Sequence, residues 1–551
     1  INGPASFNTA NGARDIALVG DSSISTSVAS AFTWDLSGIH SLTLATSGGL
    51  SIGNVNFLAT AGSGFDRLAF YQRSATGALS YNGQINIPTA TLMVDAPANV
   101  TFGGTGAVNV DKAVINSGQN INLNGSFSAN LLQLYAQTSI QFKSKPTPVG
   151  FLFAYAPNLT STTDIGASYG GDLVIGTGGI DARDNNISGL DNVISDGDMY
   201  VGDVTVKNRF YVGGVAQSRG WMAHTFSAWT IEAPLGFRFV PGSNTSGGTL
   251  TLNANSLLFD SATGGINGVT VDGGDASLLG LAGGDGGTLS LGSATTPIPG
   301  DVTVNVPISA TTGGNTLGLL TGGTGGGVFV TSNGTVAVNS SIKVSDSVQP
   351  RASNAGGAIN IASKKTTGTA ISVSSSGQLL SLLSNAAPGP GGTIKLTSAG
   401  GAINVNGTVR ADRGTVDIQN NGPSGAINLT NATLNAGTVK ATALGANGTL
   451  NVGGGTINAD TLISLYAGGS NGSVNFNENV TLSGNSAKHI QGNTVTVVNG
   501  KTVNVQGPAP ANVYTNNPNY SGSGGNGSTT GTFGGKGATT APLSAGPGPG
   551  G

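Results

Sequence analysis

Residues 400–429 read GGAINVNGTVRADRGTVDIQNNGPSGAINL, and the hexapeptide that opens the stretch returns at its end. GGAINV starts at Gly400, SGAINL at Ser424, NGTLNV at Asn447, NGSVNF at Asn471 and GNTVTV at Gly492, so the copies recur at a nearly constant interval. Aligned, the five copies give an apolar column of Ile403, Ile427, Leu450, Val474 and Val495. A second apolar column is Val405, Leu429, Val452, Phe476 and Val497, and between the two stand Asn404, Asn428, Asn451, Asn475 and Thr496. Successive residues of an extended chain face opposite ways, so both apolar columns share one face and the Asn column takes the other. A period just above twenty residues fits one coil of a β-solenoid. A single coil cannot bury its own apolar side chains, whereas a stack of coils shares a continuous interior, with glycine at the tight corners. Like residues then lie above like, as in cross-β stacks.

The pattern continues upstream as GGAINI from Gly356, NGTVAV from Asn333, GGTLSL from Gly286, NGVTV from Asn267 and GGTLTL from Gly247, and near the start as NGQINI from Asn82 and TGAVNV from Thr105. GGTIKL from Gly391 and GTVDIQ from Gly414 fall between the aligned copies and are expected to be further strands of the same coils. The expected fold is all-β: a right-handed parallel β-helix (β-solenoid) with coils of about 20–24 residues, the hand following from the general preference of parallel β connections. An antiparallel sandwich also has many short strands, but it does not require one tripeptide to recur in phase. The expected divisions are N-terminal coils with an extended first segment over 1–150, an aromatic- and Asp-rich insertion or set of widened coils over 151–245, regular β-helix over 246–506, and a Gly/Pro/Ser/Thr-rich tail over 507–551.

Composition narrows the function classes. Glycine accounts for 92 of 551 residues, and the acids are 23 Asp against only Glu232 and Glu478. Asp and Gly favour turns while Glu favours helices, so a largely helical protein is not expected. Hydrophobic residues make up 38% and the net charge is −3, which argues against a disordered chain. The 22 Lys and Arg are too dispersed for a nucleic-acid footprint. Cysteine is absent, so disulfides and thiolate metal sites are excluded. No apolar run is long enough for a membrane-spanning helix, so no transmembrane segment is expected. The chain starts at Ile1. That start fits removal of a signal peptide and an extracellular or cell-surface location.

Residues that carry chemistry are few. His40, His224 and His489 have no metal-binding spacing and are expected in surface or loop positions. The run from Asp181 to Asp203 is rich in Asp, and Asp196, Asp198 and Asp203 are the candidate metal ligands. An incidental calcium is the only ion expected there, no cofactor is expected, and no catalytic constellation is legible. Residues 151–240 hold 12 of the 31 aromatics. Trp221, Trp229 and Phe237 among them are candidates for contact with a glycan or a neighbouring subunit. Tyr514 and Tyr520 in the tail are candidates for contact with another copy. The stretch Phe65–Tyr81, carrying Phe70, Tyr71 and Arg73, is read as a smaller loop excursion.

GGAINVNGTVRADRG from Gly400 and NGTLNVGGGTINADTL from Asn447 resemble the coils of secreted bacterial β-helix proteins, of the filamentous haemagglutinin and autotransporter-passenger type. The resemblance covers about half of the chain, mainly 246–506, and implies an extracellular mechanical or adhesive role. The leading expectation is therefore an extracellular structural protein, not an enzyme, that self-assembles into a fibre or surface layer through its ends and tail. The alternative is a cell-surface adhesin or glycan-binding module, with a polysaccharide-active enzyme behind it.

Overall fold

The computed structural model describes residues 13–18, 21–25, 32–104, 106–144, 149–217, 223–238, 243, 245–262, 264–277, 282–314, 322–348, 352–384, 389–498, 500–507, 511–515 and 530–534. Among these, every regular element is a β-strand. The chain divides into two compact units, residues 1–219 with 225–235, and residues 220–224 with 236–551. Each unit is a parallel β-solenoid.

In the second unit the decisive columns pair as the sequence implies. Ile403 lies beside Ile427, Ile427 beside Leu450, Leu450 beside Val474 and Val474 beside Val495, all in parallel register. All five are buried. Burying an aliphatic side chain stabilises by roughly 1.5–3 kcal/mol, so the column alone is a substantial term. On the outward side the Asn side chains form a hydrogen-bonded ladder, Asn428 Nδ2 donating to Asn404 Oδ1 (2.7 Å), Asn451 to Asn428 (2.8 Å) and Asn475 to Asn451 (2.9 Å). One corner shows why glycine is needed. Gly455 has φ +88°, and a Cβ there would sit 2.2 Å from the Ala432 carbonyl oxygen of the coil below.

Three sheets make up this unit. One runs from Thr249–Asn253 through Thr288–Leu291, Gly327–Ser332 and Ala358–Ser363 to Thr393–Ser398. A second runs from Leu257–Phe259 through Val302–Val304, Val336–Val338 and Thr369–Val373 to Ala402–Val405. A third runs from Val269–Thr270 through Ile308–Ser309, Ser341–Ser345 and Gln378–Ser381 to Thr408–Asn420. This corrects the upstream alignment. GGAINI at Gly356 opens a strand of the first sheet and GGAINV at Gly400 a strand of the second, although the hexapeptides differ by one methylene. Both begin at a glycine corner, so the motif reports the start of a strand and not its face. The coil length is corrected with it. Leu250 pairs with Leu289, Leu289 with Val328, Val328 with Ile359 and Ile359 with Ile394. Coils in this stretch therefore take roughly 30–40 residues each, at the long end for solenoid repeats. The added residues lie in Gly-rich corners that hydrogen-bond to one another, Gly284 N–H to the Gly274 carbonyl (2.8 Å) and Gly313 N–H to the Gly284 carbonyl (2.9 Å).

The first unit has coils of its own size. Leu68 pairs with Leu92, Leu92 with Ala113, Ala113 with Leu132 and Leu132 with Leu152, so each coil is close to the length expected from the repeat. Residues 151–235 are neither an insertion nor widened. Leu173 pairs with Val193, Val193 with Phe210 and Phe210 with Ile231, in steps no longer than those of the coils before them. The stretch 65–81 is also core rather than a loop excursion, since Arg67–Gln72 and Leu79–Asn82 stack on Ser41–Thr46 and Leu50–Gly53. Its large side chains feed a buried aromatic spine, Trp34–Phe57 (5.4 Å between centroids), Phe57–Tyr81 (5.9 Å), Tyr81–Phe102 (5.9 Å) and Phe102–Phe127 (5.1 Å). The Tyr81 hydroxyl donates to the Val55 carbonyl (2.8 Å), which satisfies the one polar atom that the ring brings into the core.

Only 507, 511–515 and 530–534 of the tail are described. Ala511–Thr515 continues the first sheet of the second unit in parallel on Ala487–Gly492. Thr530–Gly534 runs antiparallel on Thr502–Gln506 and so covers that strand's outer edge within the same chain. Removing residues 530–551 is expected to leave this edge unpaired and to raise the apparent mass in light scattering. An unchanged monomer would show that the strand protects nothing.

Lys488 interrupts an inward column. It follows Ile463 in register and is buried, its ammonium donating to the carbonyls of Gly484 (3.0 Å) and Ser486 (2.8 Å). Burial disfavours the charged form and holds the Lys488 pKa below that of a free lysine. The folded chain thus gives up this proton at lower pH than the unfolded chain, and stability rises between the folded pKa and about 10.5. Lys488→Met is expected to raise the unfolding midpoint at pH 7, by an amount that shrinks as pH approaches 10.5. Thermal melts of both proteins across this range test it.

Candidate functional site

The outward side of one sheet in the first unit carries a column of aromatic, acidic and amide side chains in place of an Asn ladder. Its strands include Arg67–Gln72, Ile85–Ala96, Ala107–Ser117, Ser126–Ala136 and Val149–Ser161. Alternation sends Leu68, Leu92, Ala113, Leu132 and Leu152 inward, where all are buried. It sends Tyr71, Asp95, Asn116, Tyr135 and Tyr155 outward, one per coil on one register column. The Tyr135 and Tyr155 rings stack at 5.1 Å and 3°, and Tyr135 is 39% exposed. Arg73 lies over the Tyr71 ring (5.1 Å) and 3.9 Å from the Asp95 carboxylate. Burial, then the charge of Asp172, holds the Tyr155 phenol above its ordinary pKa, so it stays a neutral donor.

Beside this column lies a groove of about 810 Å³, whose walls include Gln72, Arg73, Asp95, Asn116, Tyr135 and Tyr155. Gln72 is almost wholly buried. Its amide nitrogen donates to the Ser74 carbonyl, and its Oε1 has no hydrogen-bond partner. Gln72 shares the inward parity of Leu68 and Phe70, so this oxygen lies beneath the groove rather than in it.

A second aromatic group stands at the entry end of the same sheet. Phe151 and Tyr169 are exposed with ring centroids 5.7 Å apart. Trp229 is 63% exposed, and its backbone N–H donates to the Lys207 carbonyl (3.2 Å). The Lys207 ammonium reaches the Tyr169 carbonyl and lies 3.4 Å from Asp191. Tyr135, Phe151, Tyr169 and Trp229, all large and left exposed in this unit, are thus aromatics of these two groups.

The contact candidates from sequence divide. Trp229 lies in this surface. Phe237 does not: it is 2% exposed and belongs to the core of the second unit, because its strand Phe237–Arg238 stacks on Val269–Thr270. Trp221 and Tyr520 lie outside the described residues. Tyr514 is placed by its backbone alone, opposite Gln491. Tyr71, Tyr135 and Tyr155 were missed, although their shared outward parity with Asp95 and Asn116 was available in the spacing. His224 is buried rather than at the surface.

The Asp candidates do not converge. Among the described residues no three His, Asp or Glu side chains are placed to hold a metal ion. Asp198 Oδ1 accepts the Val215 N–H (2.8 Å), Asp203 Oδ1 accepts the Thr225 N–H (2.7 Å), and Asp196 is exposed. The same bond recurs elsewhere: Asp164 takes the Asn186 N–H (2.9 Å), Asn186 the Asp203 N–H (2.8 Å), Asp285 the Thr324 N–H (2.6 Å) and Asp301 the Thr335 N–H (2.6 Å). These carboxylates fasten one corner to the next. Comparison with protein-family models, with curated proteins and with solved structures returns no match.

Asp203→Asn keeps the acceptor oxygen and is expected to leave stability within about 0.5 kcal/mol, while Asp203→Ala is expected to cost about 1–2 kcal/mol. Chemical denaturation separates the two, and an equal loss in both variants would mean that the negative charge, not the hydrogen bond, is what matters.

Proposed function

We propose that the protein is an extracellular β-solenoid that binds polysaccharide, with the aromatic face and groove of the first unit as the binding surface. The observation that carries this reading is the concentration of exposed aromatics on one sheet: Tyr135 stacked on Tyr155 beside the groove, and Phe151, Tyr169 and Trp229 at the entry end. Exposed aromatic clusters rimmed by polar groups mark interaction surfaces in soluble proteins. A ring supplies flat apolar carbon for the C–H face of a sugar, and the neighbouring amides and carboxylates supply partners for its hydroxyls. The parallel sheet beneath holds these groups rigidly, so little order is lost on binding.

This reading ranks above the fibre expected from the sequence. End-to-end growth uses unpaired sheet edges, and the antiparallel strand Thr530–Gly534 occupies one such edge. The resemblance to secreted adhesive β-helix proteins agrees with a surface-exposed binding role. Among the described residues no helix is long and apolar enough to cross a membrane.

The test is co-sedimentation with a panel of insoluble plant, fungal and bacterial polysaccharides, with Trp229→Ala and Tyr135→Ala compared with the parent protein. The expected result is retention on at least one polysaccharide, with about tenfold or greater loss in one or both variants and unchanged circular dichroism. Retention on none, or equal retention by all three proteins, would overturn the reading.

A further inference from the structure

We infer that the groove takes a neutral, extended, β-(1→4)-linked glycan lying along the stacking axis, with one sugar to each coil. The inference rests on the polysaccharide reading above and specifies its ligand. It starts from the column itself. Tyr71, Asp95, Asn116, Tyr135 and Tyr155 occupy five successive coils in strict register. Register fixes their spacing at the distance between hydrogen-bonded strands, about 4.8 Å. Four steps span about 19 Å. An extended β-(1→4)-linked chain advances by nearly the same rise per sugar, so each residue of such a chain meets one coil. An α-linked helical glycan advances far less per residue along its axis and falls out of phase after one or two units.

The groove walls match this chain in polarity. At one end Arg73 and Asp95 offer a donor and an acceptor to neighbouring hydroxyls. Asn116 offers both kinds of group. Farther along, Tyr135 and Tyr155, stacked face to face on adjacent coils, offer their ring edges and two phenol hydroxyls. Charge decides against an acidic polymer. Arg73 is the one cation among the lining residues, and the Asp95 carboxylate 3.9 Å away offsets it. A chain of uronates would bring a negative charge to every coil and find no second cation.

Calorimetric titration of the full chain tests this with three neutral β-(1→4) series, of glucose, N-acetylglucosamine and xylose, each from two to six units. Maltooligosaccharides and oligogalacturonides of equal length serve as comparisons. The expected result is that at least one neutral β series binds, with affinity rising through four or five units and then level, and at least tenfold tighter than both comparison series. Tyr135→Ala is expected to lower affinity about tenfold or more. Tyr135→Phe, which keeps the ring, is expected to stay within about threefold, so that a folding defect in the Ala variant is not mistaken for lost contact. Asn116→Trp, which narrows the groove midway, is expected to remove the length dependence. If glycans bind through Tyr135 but affinity is level beyond two units, or the α-linked or acidic series binds equally well, this inference fails while the polysaccharide reading stands. If none of the neutral β series binds although an insoluble polysaccharide is retained through Trp229, the inference fails again. If nothing is retained, both fall together.

Discussion

Parallel, in-register pairing sets each residue about 4.8 Å from its counterpart one coil on, and the rest of the structure follows from what can tolerate such a neighbour. Aliphatic side chains tolerate it inward, as from Ile403 to Val495. Asn tolerates it outward because one amide donates to the next. Like charges do not, since two of the same sign directly opposite one another repel. The stacked column Lys395, Asp417, Lys440 alternates in sign accordingly. The low charge content, 9% of the chain, is the compositional trace of this rule.

The same spacing accounts for the preference for Asp. A corner N–H of one coil lies one strand spacing from the corner residue of the coil before. Asp or Asn reaches it with its first carbonyl oxygen, as at Asp164, Asn186 and Asp203 in succession. Glu carries one more methylene and must fold back to make the same bond. Its two examples do other work, Glu232 pairing with Arg209 through both carboxylate oxygens (2.9 and 2.8 Å) and Glu478 with Lys501. An Asp-rich run that reads as a metal or acid site in isolation is therefore a set of corner acceptors in this fold.

What the sequence disclosed, and what it withheld, follows from the same physics. Over 400–497 every corner is short and the coils keep one length. The phase of the hexapeptide and the register of the sheet then coincide, and both columns were legible. Over 246–400 the corners lengthen, and identical-looking hexapeptides fall on different sheets. Ile359 and Ile403 show the ambiguity: each follows Gly-Gly-Ala, yet one pairs with Ile394 and the other with Ile371. No local feature distinguishes them, because the choice of face depends on how much chain the preceding corner absorbs. In the first unit, large aromatics concealed regular coils. Phe70 and Tyr81 read as an excursion from a small-residue repeat, whereas coils there fill their interior with rings stacked from one level to the next.

The binding face was only partly legible for a related reason. Trp229 drew attention by its type, whereas Tyr135 and Tyr155 have meaning only through register, which sets them on adjacent coils with their rings in contact. Their column also differs from the Asn ladder of the second unit. In the Asn404–Asn475 column like stands on like. From Tyr71 to Tyr155 the succession is aromatic, acid, amide, aromatic, aromatic, with Arg73 beside it. A mixed column gains neither the hydrogen-bonded continuity of an Asn ladder nor the burial of an aliphatic one. It leaves the Tyr135 ring partly in water. Departures of this kind, where local choices stop agreeing with what the fold requires, concentrate at sites that serve function rather than stability. Tyr135 and Tyr155 stand on adjacent coils in the groove wall, at the pitch of the stack, which is where a ligand repeating at that pitch would meet them.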